Sequence, residues 1–288
     1  MSYRLVVASL ALLVALLFAA SLFTGPAGLD LATSFDGLLG GGNEAARLVM
    51  QEIRLPRAIL GAMIGATLGL SGAVLQGYLR NPLADPGVLG VSASASLGAV
   101  IAIYTGLSAA FALALPVMAM LGAVAAVMVI QVLAGGRAGT LTLILAGVAI
   151  TSLAGATTSL ALNLSPNPFS AMEILFWMLG SLTDRSMVHV WLSAPFMVLG
   201  WTLLAPLGRA LDALSLGADA AQSMGVRLNR TQMLAILGTA TSVGAATAVA
   251  GAIGFVGLIV PHLLRPVVGS KPSRLLLPSA LAGASLVL

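Results

Sequence analysis

The chain is predicted to be an all-α polytopic bundle of membrane-spanning helices, and three observations carry that prediction. Hydrophobic residues fill 59% of its 288 positions and charged ones only 8%, with a mean hydropathy of +1.07, whereas a soluble domain is roughly 25% charged. The charges are confined to short connections between apolar runs. One such run, Ala58 to Leu79, holds 22 residues without a charge between Arg54-Leu-Pro-Arg57 and Arg80-Asn-Pro-Leu-Ala84, longer than the roughly 20 residues a helix needs to cross the hydrocarbon core. Residues 1–288 therefore form a single transmembrane domain.

The first span is expected over Leu5 to Phe23, preceded by Arg4. Its apolar core is too long for a signal-peptide h-region, and further spans follow, so it is read as an uncleaved helix. Residues 24–53, with Asp30, Asp36, Glu44, Arg47 and Glu52 among glycines, are expected to be a solvated loop with a short surface helix over Asn43 to Ile53. The second span is the Ala58–Leu79 run, with Pro56 in its first turn, where proline is tolerated. Its Gly61, Gly65 and Gly69 recur every fourth residue and leave one face bare for another backbone.

Asn81-Pro-Leu-Ala-Asp-Pro-Gly87 cannot continue a helix. The 51 uncharged residues between Asp85 and Arg137 suffice for two spans, near Val88–Tyr104 and Ala109–Leu133, turning at Thr105-Gly-Leu-Ser. Gly135-Gly-Arg-Ala-Gly139 forms the next loop. A fifth span runs from Thr140 to about Leu162 and breaks at Asn163-Leu-Ser-Pro-Asn-Pro168. Phe169–Leu182 is too short to span and is read as re-entrant or interfacial, with Trp177 at an interface.

A sixth span covers about Met187–Leu207, followed by the polar connection Leu207–Arg230. From Thr231 to Leu264, 34 uncharged residues interrupted at Gly251-Ala-Ile-Gly254 predict two shorter spans in a hairpin. A last apolar run begins at Leu275 and reaches Leu288, too few residues to cross a bilayer, and is expected to be part of a longer helical domain.

Basic residues set the orientation. With a cytoplasmic N-terminus, Arg4, Arg80, Arg137, Arg209, Arg227, Arg230, Arg265, Lys271 and Arg274 lie inside, against Arg47, Arg54, Arg57 and Arg185 outside, which satisfies the positive-inside rule. The net charge of +4 from 13 basic and 9 acidic residues is thus a topology signal, and the dispersed charges form no nucleic-acid patch. The absence of cysteine excludes disulfides and thiolate metal sites.

Missing chemistry narrows the function. No Asp, Glu, Lys or Arg sits deep in a predicted span, although ion-coupled transporters need such groups. An ion-coupled secondary transporter or channel is therefore the alternative reading. There is no Gly-x-x-x-x-Gly-Lys-[Ser/Thr] loop, so any ATP is bound by another subunit. His189 and His262 have no carboxylate cluster or metal-ligand spacing around them, and neither an enzyme, a cofactor nor a metal site is expected.

Three groups remain as candidate sites. Arg54 and Arg57, three residues apart at the outer end of a span, are expected to share a face and present two guanidinium forks. Gln76, with Asn81 and Pro82, is a candidate for the pathway or its inner gate. On the cytoplasmic side, Leu216 to Gly225 reads as a short helix, with Asp219 suiting its N-terminal dipole and Gly225 its C-terminal cap.

These residues carry a resemblance. Arg54-Leu-Pro-Arg57, Ser71-Gly72, Gln76, Asn81-Pro-Leu-Ala84, Pro86, Leu89-Gly90, Trp177-x-x-Gly180-Ser181, Gly217 with Met224-Gly225, and Gly254-Phe-Val-Gly-Leu-Ile-Val-Pro-His262-x-x-Arg265 are similar to the iron-chelate (FecCD-type) permeases of ABC importers. The resemblance covers residue 50 to the end. It implies a ten-helix permease, of which about eight and a half helices are present and the C-terminal part is missing. It also implies a bacterial inner-membrane location and pairing with a second permease, as a homodimer or with a related permease. The implied partners are two cytoplasmic ATPases and a periplasmic or lipoprotein substrate-binding protein. The implied cargo is a ferric siderophore, with haem or cobalamin as further candidates. It makes Arg54 and Arg57 docking points for the binding protein, and Gly217, Asp219, Ala220, Ala221, Met224 and Gly225 the coupling element to the ATPase.

Overall fold

The computed structural model describes residues 2–134, 140–165 and 167–288, all helix, turn and connection. The Gly135–Gly139 loop with Arg137 and the residue Pro166 lie outside the described residues. The first helix is α1 (Tyr3–Phe23), capped by the Ser2 side chain on Leu5 N–H. After α2 (Leu31–Leu38) and α3 (Glu44–Leu48) the chain passes through a π-helical turn, Val49–Arg54, directly into α4 (Leu55–Leu79). A 3-10 turn, Pro86–Leu89, leads into α5 (Val91–Tyr104) and the short α6 (Leu107–Ala110). Next come α7 (Ala114–Ala134), α8 (Thr140–Asn163) and α9 (Pro168–Leu179). The second half holds α10 (Met187–Leu204), α11 (Gly208–Leu214), α12 (Ala218–Ser223), α13 (Leu228–Ala250), α14 (Val256–Val268) and α15 (Pro272–Val287).

Two helices form the axis of the bundle. The most apolar stretches of the α3–α4 helix and of α13 are each 78% buried, whereas those of α1, α7, α8 and α10 are 11 to 33% buried. The second set keeps most of its side chains for lipid. The pattern follows from composition: α4 and α13 are rich in Gly, Ala, Ser and Thr, and small residues let backbones approach where lipid and protein are equally apolar. On α4, the added Cβ of any side chain at Gly65 would meet the Gly283 carbonyl of α15. At Gly69 it would meet the Ser279 carbonyl, and at Gly72 the Gly257 carbonyl of α14. Gly61 faces Val287. The bare face expected from the spacing is the seat of α15.

Several expectations are corrected. Residues 24–53 are not an open loop. Asp30 and Asn43 cap α2 and α3 through Thr33 N–H at 3.0 Å and Ala46 N–H at 2.7 Å, and Gly37 packs directly on the Ala46 backbone. Pro56 stands in the first turn of α4 as expected, but the chain does not start a helix there, because one continuous helix runs from Glu44 to Leu79 through the π turn. The π turn accommodates a proline that offers no N–H to the preceding turn. Trp177 is not on an exposed face but 8% exposed, packed in the core beside Ile174, because α9 turns its opposite face outward, with Phe169, Phe176 and Leu179 exposed. Finally, α13 is long enough to cross a bilayer by itself, and only its partner α14 is short. The break between them is held by Ser181 N–H, which donates to the Ala250 carbonyl at 2.7 Å.

Candidate functional site

At the π turn, the two arginines are separated by their environments. The Arg54 side chain folds inward and is 6% exposed, while Arg57 is exposed. Arg54 Nη1 donates to the Leu22 carbonyl at 3.1 Å and lies 3.8 Å from Met50 Sδ. Nη2 has no partner. Leu22 is in the last turn of α1, where unpaired carbonyls concentrate partial negative charge, so the guanidinium caps that helix. From the same turn, Gln51 Nε2 donates to the Leu38 carbonyl at the end of α2 at 3.1 Å. The expected pair of parallel forks is thus one clasp, Arg54, and one free fork, Arg57. Wider winding at Val49–Arg54 changes the angular offset that a regular helix would give the two residues.

Gln76 lies at a junction of three elements. Its Nε2 donates to the Ala84 carbonyl at 3.2 Å, the Leu258 carbonyl at 3.1 Å and the Gly257 carbonyl at 3.4 Å. Its Oε1 accepts from Arg265 Nη2 at 2.7 Å. One buried amide therefore ties α4 to the turn before α5 and to α14, and it orients an arginine at the end of α14. Asn81 is not part of this hydrogen-bonded set, whereas Pro82 lines a hollow of about 200 Å3 together with Gln76 and Arg265. Both are exposed, and Asn81 Oδ1 accepts from Leu83 N–H at 3.0 Å in a local turn. Asp85 closes the next turn by accepting from Gly87 N–H at 2.8 Å, and burial pushes its carboxyl above the usual carboxylate range.

The polar connection folds into α11 and α12. Gly217 and Gly225 bracket α12 at φ +115° and +84°, backbone that residues with a Cβ rarely adopt. Asp219 stands in the first turn. Ala221 is fully buried against α11 and α13, whereas Leu216 and Met224 are 68% and 64% exposed. The outward-facing apolar residues of this segment are thus Leu216 and Met224, and Ala221 is its foot. A brace absent from the sequence reading anchors the connection: Asp212 accepts from Ser273 N–H at 2.8 Å and pairs with Lys271 at 3.4 Å. Opposite charges 59 residues apart leave no local signal for this contact.

Among the described residues no three His, Cys, Asp or Glu side chains converge as a metal site. His189 caps its own helix with Ser186, and His262 is exposed.

These features define a polytopic helical bundle with buried neutral polar links and a short helix on its polar end. The chain belongs to the FecCD transport family, whose sequence model matches residues 12–288. It is 41% identical over 248 residues to the cobalamin import system permease protein BtuC of Halobacterium salinarum, covering 84% of this chain and 65% of that one. It is 37% identical over 289 residues to the ferric enterobactin transport system permease protein FepD of Escherichia coli K12, covering 98% and 84%. Its fold matches a solved chain described as an inward-facing conformation of a metal-chelate type ABC transporter. That match has a TM-score of 0.86 and 29% identity, covering 99% of this chain and 88% of the other. The chain is accordingly a permease of the ABC importer class.

Proposed function

We propose that this permease forms the membrane pathway of a binding-protein-dependent importer for a metal chelate, with a ferric siderophore as the favoured cargo and haem or cobalamin as the related ones. Membership of the FecCD family carries the reading, and the relatives' own cargoes, cobalamin and ferric enterobactin, frame the substrate class. Absence of charge deep in the spans supports a pathway for large, coordinatively saturated molecules over an ion-coupled relay.

In this reading the N-terminus is cytoplasmic, the membrane is the bacterial inner membrane, and the permease works as a homodimer. The exposed Arg57 receives a carboxylate of the external binding protein, and Arg54 holds the π turn that presents it. On the other side α12, between Gly217 and Gly225, docks with the ATPase through Leu216, Asp219, Ala220 and Met224, with Ala221 fixing it to the bundle. Gln76 holds the polar junction between α4 and α14, with Asn81 and Pro82 at the cytoplasmic mouth.

The test is stimulation of the assembled transporter's ATPase by its binding protein loaded in turn with ferric siderophore, haem and cobalamin. Strongest stimulation by the ferric siderophore is expected. Strongest stimulation by another of the three would replace it as cargo.

A further inference from the structure

The α10–α11 corner contains two adjoining cavities. One is a slot of about 590 Å3 walled by Ala66 and Leu70 of α4, Trp201 of α10, and Leu276, Leu277 and Ala280 of α15. Apart from its mouth it is lined almost wholly by apolar side chains. The Trp201 wall is fixed, since its indole Nε1 donates to Thr67 Oγ1 at 2.9 Å. The second cavity, of about 460 Å3, gathers Arg209, Arg227 and Arg230 in one hollow beside Thr231. Pro206 and Arg209 line both, so the apolar slot opens toward the basic hollow.

Among the described residues, no carboxylate lines either cavity and none of the three guanidiniums is in an ion pair. Asp212, on the same short helix as Arg209, is committed to Lys271 and Ser273 N–H. Three positive charges thus converge where the apolar spans end.

We propose that this corner binds one anionic phospholipid, with an acyl chain in the slot and the phosphate among Arg209, Arg227 and Arg230. The slot lies between membrane spans, where a hydrocarbon chain is a filler of matching polarity. Guanidinium forks match phosphate oxygens in geometry and charge. Basic hollows beside transmembrane helices collect anionic headgroups for the same reason. Met224 and Val226, which follow α12, line the hollow as well, so the headgroup contacts the base of that helix and lipid composition would bias how α12 is held. The binding itself needs only the spans and not the import reading.

The test is native mass spectrometry of the purified permease, solubilised in nonionic detergent and offered phosphatidylglycerol and phosphatidylcholine in equal amounts. Retention of one phosphatidylglycerol in preference to phosphatidylcholine by about tenfold is expected. The triple variant R209Q/R227Q/R230Q, at exposed positions, should lose the preference. A280F fills the slot while keeping all three charges, and should lose it too. Equal retention of both lipids by the wild-type chain would overturn the proposal. So would A280F behaving as wild type, which would leave only surface charge. Displacement of the lipid by excess inorganic phosphate would assign the hollow to free phosphate and overturn the lipid assignment. A chain without lipid preference, whose triple variant loses the ATPase subunits instead, would assign the arginines to partner carboxylates and equally overturn it.

Discussion

At the scale of single residues, buried side chains with several partners matter more than exposed ones with none. Gln76 satisfies three carbonyls and one guanidinium, and removing one partner of a buried polar set costs about 1–3 kcal/mol per group left unsatisfied. Gln76→Leu should therefore lower the thermal unfolding midpoint in detergent, whereas Asn81→Ala, at an exposed local turn, should leave it nearly unchanged. Equal midpoints for both variants would remove the junction role. The two outer arginines are predicted to separate in the same way. Arg54→Ala should destabilise by about 1–3 kcal/mol through the abandoned Leu22 carbonyl. Arg57→Glu should leave stability intact but slow association with the binding protein, because charges at an interface rim act mainly through the salt-sensitive on-rate. An unchanged on-rate and salt dependence for Arg57→Glu, at normal membrane levels, would end its docking role.

At the scale of elements, spacing and break residues were legible. The glycine repeat of α4 predicted a close-packed neighbour, and α15 occupies that face. Overpacking there should cost about 1–3 kcal/mol or more, so Gly69→Leu is expected to prevent stable folding. Gly155→Ala, whose Cβ would meet nothing within 4 Å, should fold normally and serve as its control. What was not legible depended on winding or distance. Alternation and charge cannot show that Val49–Arg54 is π-helical, so the inward turn of Arg54 was missed. Gln76 and Arg265 meet across 189 residues, and Trp177 sits in a 12-residue helix too short to reveal its inner face. The glycine brackets of α12 were readable, but not that Ala221 is its buried foot. A charge at Ala221 would test packing, so docking is better tested at Met224. Met224→Glu should retain the fold while weakening ATPase assembly and uptake, and normal assembly and uptake would remove α12 from the interface.

At the scale of the whole molecule, the arrangement is two small-residue helices, α4 and α13, wrapped by helices that face lipid. Such a bundle packs without a large internal charge. In the proposed import function, uptake through this permease is driven by ATP hydrolysed in a partner and is gated by a binding protein. The most direct measurement is ferric-siderophore uptake into proteoliposomes holding the permease with its ATPase subunits, with binding protein and ATP supplied on their respective sides. Uptake is expected to require all three components, to be unaffected by collapsing ion gradients, and to be absent with a non-hydrolysable nucleotide. Uptake by the permease alone along an imposed proton or sodium gradient would contradict it.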